Sequence, residues 1–226
     1  MKAKKWMTGL MAAVLLLCCA VMGGCAQKEK SSVKTDEDKM LASLTEDQFP
    51  VATITFKGYD TPVVVRLDPT HALNTVKNFI YLAESDFYTN KTIHRVTDFC
   101  IQGGSTSGES GAVPEYHIEG EFSENGYDNP LTHERGTISM ARAADFDSAS
   151  TQFFICTKKV SALDGKYAAF GTVLSGMNTV LAISMMPHDG SNGSRDGKPL
   201  DDIVIASVKV DTKGITYPAP EKKSAK

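Results

Sequence analysis

The sequence lacks several features that would place it in a well-marked class of protein. Its 24 basic and 27 acidic residues leave a net charge of −3, so it lacks the positive excess typical of nucleic-acid-binding proteins. It has no series of long apolar runs, which excludes a multi-span membrane protein. A hydrophobic share of 42% excludes collagen and a disordered acidic chain. The 226 residues are enough for one domain with a sizeable core, or for two small ones.

Signatures of common catalytic and metal sites are also absent. No serine lies in the strand-turn-helix motif of a nucleophile elbow. Gly103-Gly104 lacks the spacing and the lysine of a phosphate-binding loop. The five histidines are scattered, so neither a metal site nor a catalytic triad is indicated.

Cysteine is scarce in the part of the chain that reads as folded. Three of the five cysteines lie within the first 25 residues, which leaves Cys100 and Cys156. Neither belongs to a CxxC motif. A disulfide between them is open to an exported protein, but spacing alone does not show whether their Cα atoms are close enough. We expect two free, buried thiols.

The N-terminus has the pattern of a secretory signal. Lys2, Lys4 and Lys5 form a basic start, and Leu10–Met22 is an unbroken run of apolar, alanine and cysteine residues. The run is shorter than the roughly 20 residues that span a bilayer as a helix, so a signal-anchor is the weaker alternative. We therefore predict a signal peptide over residues 1–24.

The end of this run resembles the bacterial lipobox. Gly23-Gly24 directly precede Cys25, although Met22 stands where the pattern usually has leucine. The resemblance implies cleavage before Cys25, attachment of acyl chains such as palmitate to it, and anchoring at the extracytoplasmic face of a bacterial membrane. The alternative is a plain signal peptide with an incidental cysteine.

Removal of the signal changes the charge of the chain. Loss of three lysines lowers the basic residues from 24 to 21 against 27 acidic ones, a net charge near −6. Anionic lipid would repel such a chain, so the acyl chains would have to hold it at the membrane. Residues 25–48 are polar with few apolar side chains and predict a flexible linker. A short helix around Met40–Leu44 is the alternative.

The rest of the chain predicts short strands and two helices. Alternating β-branched residues at Val51–Phe56 and 62–67, joined by turn residues, indicate a hairpin. Apolar residues at helical spacing predict helices at 72–83 and Met177–Met185. Further strand candidates are Thr92–Val96, Phe99–Gln102, Thr137–Met140, Gln152–Cys156, Ala168–Val173 and Ile203–Val210. These elements favour a mostly antiparallel barrel or sandwich.

Six short segments are informative only as a set, since each taken singly would be a common strand, turn or core sequence. They are FYTNKTIHR at 87–95, FCIQGG at 99–104, RGTISMA at 135–141, STQFFIC at 150–156, LDGK at 163–166 and FGTVLSGM at 170–177. Together, in this order and spacing, they resemble the cyclophilin family of peptidyl-prolyl cis-trans isomerases. The resemblance covers about residues 51–211.

The resemblance implies a mostly β fold, an eight-stranded antiparallel barrel capped by two α-helices. It places the domain at 49–212, followed by a polar C-terminal tail at 213–226. It implies a shallow groove on the outside of the barrel as the site, with no cofactor and no metal. The partners would be proline-containing exported polypeptides. We expect a monomer that binds no nucleic acid and reaches the membrane through the lipid on Cys25.

The family's functional positions map onto this chain by motif. Arg95 matches the catalytic arginine. The glycine of a flanking loop falls near Gly108–Gly111. The positions implied to bind substrate are Phe99, Cys100, Phe154 and Leu163 around the proline ring, and Gln102, Ala141, Arg142, Gln152 and Tyr167 along the peptide.

Some positions depart from the family pattern. Cys100 replaces a usual methionine, which predicts a shorter pocket wall and a weaker grip on proline. Arg142 replaces an asparagine common in eukaryotic members, and Tyr167 replaces a usual histidine. Ala162 stands where cyclosporin-sensitive members carry tryptophan, which predicts weak cyclosporin binding. The turn at Thr97-Asp98 is one residue shorter than usual, which would shift Phe99 relative to the arginine.

The favoured function is a lipid-anchored isomerase that acts on X-Pro bonds during the folding of exported proteins. The first alternative is a non-catalytic peptide-binding module or chaperone, against which the retained Arg95 argues. A lipid-anchored solute receptor is a third possibility, but the chain lacks an α/β repeat pattern.

Overall fold

The computed structural model describes residues 30–104, 115–191 and 195–224 of the chain. Eight antiparallel strands in this part form a closed barrel. They are β1 (Val51–Phe56), β2 (Val63–Leu67), β3 (Thr92–Thr97), β4 (Cys100–Gly103), β5 (Thr137–Met140), β6 (Phe153–Cys156), β7 (Ala169–Ser175) and β8 (Ile203–Asp211). The order around the barrel is β8-β1-β2-β7-β5-β6-β4-β3, and pairing of β3 with β8 closes it. The predicted fold is confirmed, with element ends within one or two residues of those expected.

The described residues form three α-helices, one more than predicted: α1 (Asp36–Leu41), α2 (Leu73–Glu84) and α3 (Met177–Ser184). The residue before α2 supplies no side-chain cap. Instead the buried carboxylate of Glu121 accepts hydrogen bonds from the backbone N–H groups of Asn74, at 3.0 Å, and Thr75, at 2.6 Å. A carboxylate at this helix end satisfies free donors and complements the helix dipole.

The strands bury alternate residues, as their sequence pattern predicts. Ala52, Ile54 and Phe56 of β1 are buried, while the residues between them are partly exposed. On α2, Phe79 packs its ring against those of Phe153 and Phe170 at centroid distances of 5.7 and 5.4 Å. These aromatic rings belong to the main core shared by the barrel and α2.

Strands β4 and β6 bury residues on both faces, and this positions the site. Ile101 and Ile155 pair across the two strands and point into the main core. Their neighbours Cys100, Phe154 and Cys156 form a second buried cluster on the opposite face. Because successive side chains alternate, this second cluster lies on the outside of the barrel.

The described part of the predicted flexible linker, residues 30–48, differs from the expectation. It contains α1, which begins with a reciprocal capping box between Thr35 and Asp38. Leu41 is fully buried, and Asp38 forms a buried ion pair with Lys77 of α2. The composition shows few apolar residues here, but it does not reveal the buried Leu41 or the ion pair to Lys77 of α2. The alternative helix at Met40–Leu44 is also wrong in position, since α1 ends at residue 41.

Several predictions fall outside the described residues: the signal at 1–24, the lipid site Cys25 and the loop glycine near Gly108–Gly111. The described part of the C-terminal tail lies on the domain, where Lys223–Ser224 pairs with Tyr116–His117. Among the described helices, none is long and apolar enough to cross a membrane.

Candidate active site

Strand register brings the central predicted residues onto one outer face of the barrel. Arg95 of β3 lies opposite Gln102 of β4, and Gln102 lies opposite Phe154 of β6. Side chains of directly paired residues share a face of the sheet. An arginine, an amide and an aromatic ring therefore stand side by side, although they come from segments up to 59 positions apart in the sequence.

These residues line a shallow pocket of about 110 Å³. Nine of the ten predicted site residues border it: Arg95, Phe99, Cys100, Gln102, Ala141, Arg142, Phe154, Leu163 and Tyr167. The tenth, Gln152, accepts a hydrogen bond from Gln102 Nε2 to its Oε1 at 2.8 Å, and its carbonyl accepts one from Ala141 N–H at 2.9 Å. All ten positions therefore converge on one place.

The guanidinium of Arg95 is held by two side chains. Its Nε donates to Asp196 Oδ1 at 2.8 Å, and its Nη2 donates to the other carboxylate oxygen. Its Nη1 donates to Gln102 Oε1 at 3.1 Å. The hydrogen bonds from Arg95 to Asp196 raise the pKa of the guanidinium, against the opposing effect of burial. Arg95 is therefore a fixed cation at the pocket edge at every physiological pH.

The apolar side of the pocket is built from rings. Phe154 lies between Tyr167, which meets it edge-on with centroids 5.8 Å apart, and His133, which stacks on it at 5.8 Å. Leu163 completes this side from a short 3₁₀ turn at Ser161–Leu163. Such a surface suits a small apolar ring and offers few competing hydrogen bonds.

The short turn between β3 and β4 keeps Phe99 in the pocket. The hydroxyl of Thr97 accepts hydrogen bonds from the N–H groups of Phe99, at 3.1 Å, and Cys100, at 2.9 Å. The side chain thus closes the tight turn by satisfying backbone donors. Phe99 still borders the pocket beside Arg95, so the missing residue has not removed it.

Cys100 and Cys156 face each other on β4 and β6 as a directly opposed pair. Both are free and buried, as expected from the sequence. Burial raises the pKa of Cys100 to about 11 and that of Cys156 to about 12. The Cys100 thiol is therefore an uncharged part of the pocket wall at neutral pH.

Arg142 lies within an aromatic cluster at the pocket rim. Its guanidinium is 4.7 Å from the ring centre of Tyr167, 4.8 Å from Phe146 and 5.2 Å from Phe122. Its Nε donates to the carbonyl of Lys166 at 3.0 Å. These contacts fix the Tyr167 ring beside the pocket through cation–π attraction.

Two residues that the sequence did not single out support the site. Asp196 holds Arg95 from a position 101 residues away. His133 is fully buried beneath Phe154 and is fixed by Asp164, 3.0 Å from its Nδ1, and by Ser139, 3.0 Å from its Nε2. Neither residue has a local sequence signal. Other aspartates lie near Asp196 in the sequence, so none of them stands out, and His133 is one of five scattered histidines.

Comparison with known proteins agrees with this geometry. The family model described as cyclophilin-type peptidyl-prolyl cis-trans isomerase matches residues 33–210. A peptidyl-prolyl cis-trans isomerase of Streptomyces antibioticus is 34% identical over 159 residues, which cover 66% of this chain and 92% of that protein. A peptidyl-prolyl cis-trans isomerase-like 2 protein of Gibberella zeae is 33% identical over 150 residues, 66% of this chain. The match spans only 25% of that fungal protein, which is much longer.

A solved structure gives the same result for the fold. A cyclophilin-type isomerase of Cryptosporidium parvum, crystallised in the presence of the dipeptide Ala-Pro, superposes with a TM-score of 0.61 and 27% identity. The superposition covers 71% of this chain and 98% of that one. The family model spans well over half of the chain, and the barrel matches a solved member. This chain belongs to the cyclophilin-type peptidyl-prolyl cis-trans isomerase family.

Proposed function

We propose that this protein is a peptidyl-prolyl cis-trans isomerase that accelerates rotation about X-Pro bonds in exported polypeptides. The observation that carries the proposal is the placement of the Arg95 guanidinium at the edge of an apolar pocket formed by Phe99, Phe154 and Leu163. The pocket suits the pyrrolidine ring, and the guanidinium then lies beside the prolyl amide. No covalent step is required.

The chemistry follows from amide resonance. Rotation about a peptide bond faces a barrier of about 18–20 kcal/mol, and X-Pro bonds populate both isomers. In the twisted state the prolyl nitrogen becomes pyramidal and regains a lone pair. A hydrogen bond from Arg95 to that nitrogen stabilises the twisted state more than either planar isomer. Preferential stabilisation of the transition state raises the rate.

The donors of Arg95 are divided between support and reaction. A guanidinium has five N–H groups. Among the described residues, Asp196 takes two of them and Gln102 takes one. One N–H on each terminal nitrogen is left to face the peptide. The arginine is thus anchored on one edge and available on the other.

The remaining site residues hold the peptide on both sides of the rotating bond. Gln102 and Gln152 present amide groups next to Arg95, and Ala141 lies beside them through its backbone bond to Gln152. One side of the peptide is fixed there while the proline ring is held in the pocket. Rotation is then confined to the bond between them.

The first experiment measures exchange between the cis and trans forms of an X-Pro peptide by NMR. We expect wild-type protein to accelerate exchange, and Arg95→Ala to lower kcat/KM by about 100-fold to 1,000-fold, as loss of a transition-state donor does elsewhere. Arg135→Ala, which removes an exposed arginine outside the pocket, serves as the matched control and should not change the rate. A wild type without any acceleration would overturn the proposal.

A non-catalytic peptide-binding module is the second candidate. The short side chain of Cys100 favours it, because a pocket with cysteine at this position contacts the proline ring less fully than a pocket with a longer side chain. The two functions separate in one comparison. If the protein is an isomerase, Arg95→Ala lowers the rate of cis-trans exchange and keeps the peptide affinity. If it is a binding module, even the wild type does not accelerate exchange.

We further propose that a lipid on Cys25 holds the protein at the extracytoplasmic face of a bacterial membrane. The support is the sequence of residues 1–25, a basic and apolar signal that ends in Gly-Gly-Cys. Proline isomerisation can limit the folding of polypeptides after export, so a foldase at this location would meet its substrates there. Anchoring by lipid also suits a mature chain of negative charge.

Labelling with radioactive palmitate tests the anchor. The label should enter wild-type protein and the control Cys18→Ser, and it should be absent from Cys25→Ser. Labelling of Cys25→Ser at the wild-type level would show that the anchor lies elsewhere.

A further inference from the structure

The carboxylate of Asp196 accepts hydrogen bonds from Nε and Nη2 of Arg95. Asp196 belongs to the connection between α3 and β8. No family motif quoted above includes this residue. The contact therefore gives Asp196 a role beside Arg95 that no sequence motif predicted.

Backbone pairing fixes the position of Asp196. Asp196 and Gly197 add a short antiparallel segment to β3, opposite Thr97 and Val96. Because Asp196 is paired with Thr97, it is the diagonal neighbour of Arg95 on the same face. The strand that carries the arginine thus also holds its counter-ion.

The residue that follows Asp196 is closely packed. A Cβ on Gly197 would lie 2.5 Å from Asp189 Oδ1 and 2.6 Å from the nitrogen of Gly190. That Asp189 oxygen also accepts the N–H of Lys198 at 2.9 Å. Since even a methyl group has no room at residue 197, the Gly197 backbone packs directly against Asp189 and Gly190.

The contact itself is two-pronged. Nε and Nη2 of Arg95 each donate to a separate oxygen of Asp196. Paired contacts of this kind fix the plane of the guanidinium as well as its distance. The two side chains are only 36% and 24% exposed, so water competes less for these donors than at an open surface.

We infer that Asp196 is a positioning residue for the isomerisation. It selects the one orientation of Arg95 in which an N–H of each terminal nitrogen faces the pocket. This inference rests on the proposed isomerase function. Asp196 does not contact the peptide in this account, so its removal lowers the rate of the rotation step and leaves peptide binding largely intact.

The kinetic test uses Asp196→Ala and Asp196→Asn in the full chain. We expect Asp196→Ala to lower kcat about tenfold to a hundredfold, with KM within about twofold, since misplacement of a catalytic group costs rate rather than affinity. Asp196→Asn is nearly isosteric and keeps one acceptor, so it should recover part of the loss. Asp202→Ala removes an exposed carboxylate from the same part of the chain, and it should leave both constants unchanged.

A double-mutant cycle separates action through Arg95 from any other effect. In the Arg95→Lys background, which lacks the paired donors, Asp196→Ala should cause little further loss of rate. An equal loss in both backgrounds would overturn the inference, and so would a rise in KM at constant kcat. An active wild type with a fully active Asp196→Ala variant would overturn it as well.

An NMR readout works even without catalysis. The Arg95 Nε–H proton should exchange slowly with water in wild-type protein and in Asp202→Ala, and rapidly in Asp196→Ala. Fast exchange in the wild type would overturn the positioning role. If the wild type accelerates no isomerisation, the proposed function fails, while slow exchange of this proton would still establish the tether between the two side chains.

Discussion

At the scale of single residues, burial governs the chemistry of the two thiols in the site. Cys100 and Cys156 pack against Phe154 in the outer cluster, and neither is exposed by more than 2%. Burial disfavours the thiolate and raises both pKa values, to about 11 and about 12. Because the thiolate is the reactive form, these cysteines are packing residues.

This predicts slow alkylation in the folded state. At pH 8 a thiol of pKa about 11 has roughly a hundredfold less thiolate than one of the ordinary pKa of 9.0. Iodoacetamide should therefore leave the peptides that contain Cys100 and Cys156 unmodified in native protein, and should label both in guanidinium chloride. Mass spectrometry of the digested protein measures this. Rapid native labelling of Cys100 would contradict the closed outer cluster.

His133 links the pocket to the pH dependence of stability. It is buried beneath Phe154, and burial lowers its pKa despite the nearby carboxylate of Asp164. The folded protein keeps the ring neutral at pH values where the unfolded chain protonates it. Below the ordinary pKa of about 6.5, the unfolded state therefore binds more protons than the folded state.

The free energy of unfolding should accordingly fall as the pH drops below about 6.5. One proton sets the limit of this slope, about 1.4 kcal/mol per pH unit. His133→Gln, which cannot be protonated, should remove this part of the slope between pH 7 and pH 5. Urea unfolding at several pH values checks it. Identical slopes in the two proteins would show that His133 is protonated in the folded state.

The ten positions that converge on the pocket are mapped through the resemblance to a family, because several segments match it in order and spacing. Taken singly, Arg95, Gln102 and Phe154 lie in common strand or core sequences. Asp196 could not be predicted in this way. Its task depends on which loop reaches β3, and several aspartates nearby would satisfy the same chemistry.

At the scale of elements, α1 is held by a charge pair that water does not reach. The side chains of Lys77 and Asp38 are 5% and 3% exposed. Burial alone would raise the pKa of Asp38, but hydrogen bonds from Lys77 and from the backbone N–H groups of Lys34 and Thr35 lower it to about 2. This contribution to stability is complete above the ordinary pKa near 3.9 and is lost as the pH falls through about 2.

Removing one charge of this ion pair should lower the free energy of unfolding more than removing both. Lys77→Met leaves a carboxylate buried without its cation, and we expect the free energy of unfolding at pH 7 to fall by about 3–5 kcal/mol. The double variant Asp38→Asn with Lys77→Met should recover most of this, because the asparagine oxygen still accepts the backbone N–H groups. Urea unfolding measures both.

The control is Lys39→Ala, which breaks an exposed ion pair with Asp36 and should change stability by less than about 0.5 kcal/mol. A double variant as unstable as the single one would mean that packing, not charge, holds α1.

The strands were easier to predict than α1 for a physical reason. A strand buries every second residue, so its period is visible in a few positions such as Ala52, Ile54 and Phe56. Helix α1 has six residues and buries only Asp38 and Leu41. Its buried charge is paired with Lys77 of α2, 39 positions away, and the local sequence pattern does not reveal that partner.

At the scale of the whole molecule, the two end segments meet on the domain. Lys34 of the N-terminal segment pairs with Glu221 of the C-terminal one. The side chain of Asn74, at the start of α2, donates from Nδ2 to the carbonyl of Glu221 at 3.0 Å. Its Oδ1 accepts a hydrogen bond from the N–H of the same residue at 2.7 Å. Lys223 then bridges to Glu119 at 2.6 Å. The ends of the described chain are therefore part of the folded unit.

This docking limits how far the domain could lie from a lipid on Cys25. With Cys25 as the proposed anchor, five residue steps separate the lipid from Lys30, whose backbone N–H donates to the carbonyl of Gly126 at 2.8 Å. Five steps span at most about 18 Å. The proposed anchor would therefore hold the domain close to the bilayer, near the surface from which exported substrates would emerge.

Truncation tests the docking of the N-terminal segment. Removal of residues 1–42 should lower the free energy of unfolding by about 2–3 kcal/mol, because the burial of Leu41 is lost. The same deletion removes Asp38 and exposes the Lys77 ammonium group to water, which solvates its charge. Lys77→Met should therefore cost less than about 1 kcal/mol in the shorter chain, against about 3–5 kcal/mol in the full one. Urea unfolding of the four proteins measures the coupling, and an equal cost of Lys77→Met in both lengths would show that the segment does not cover α2.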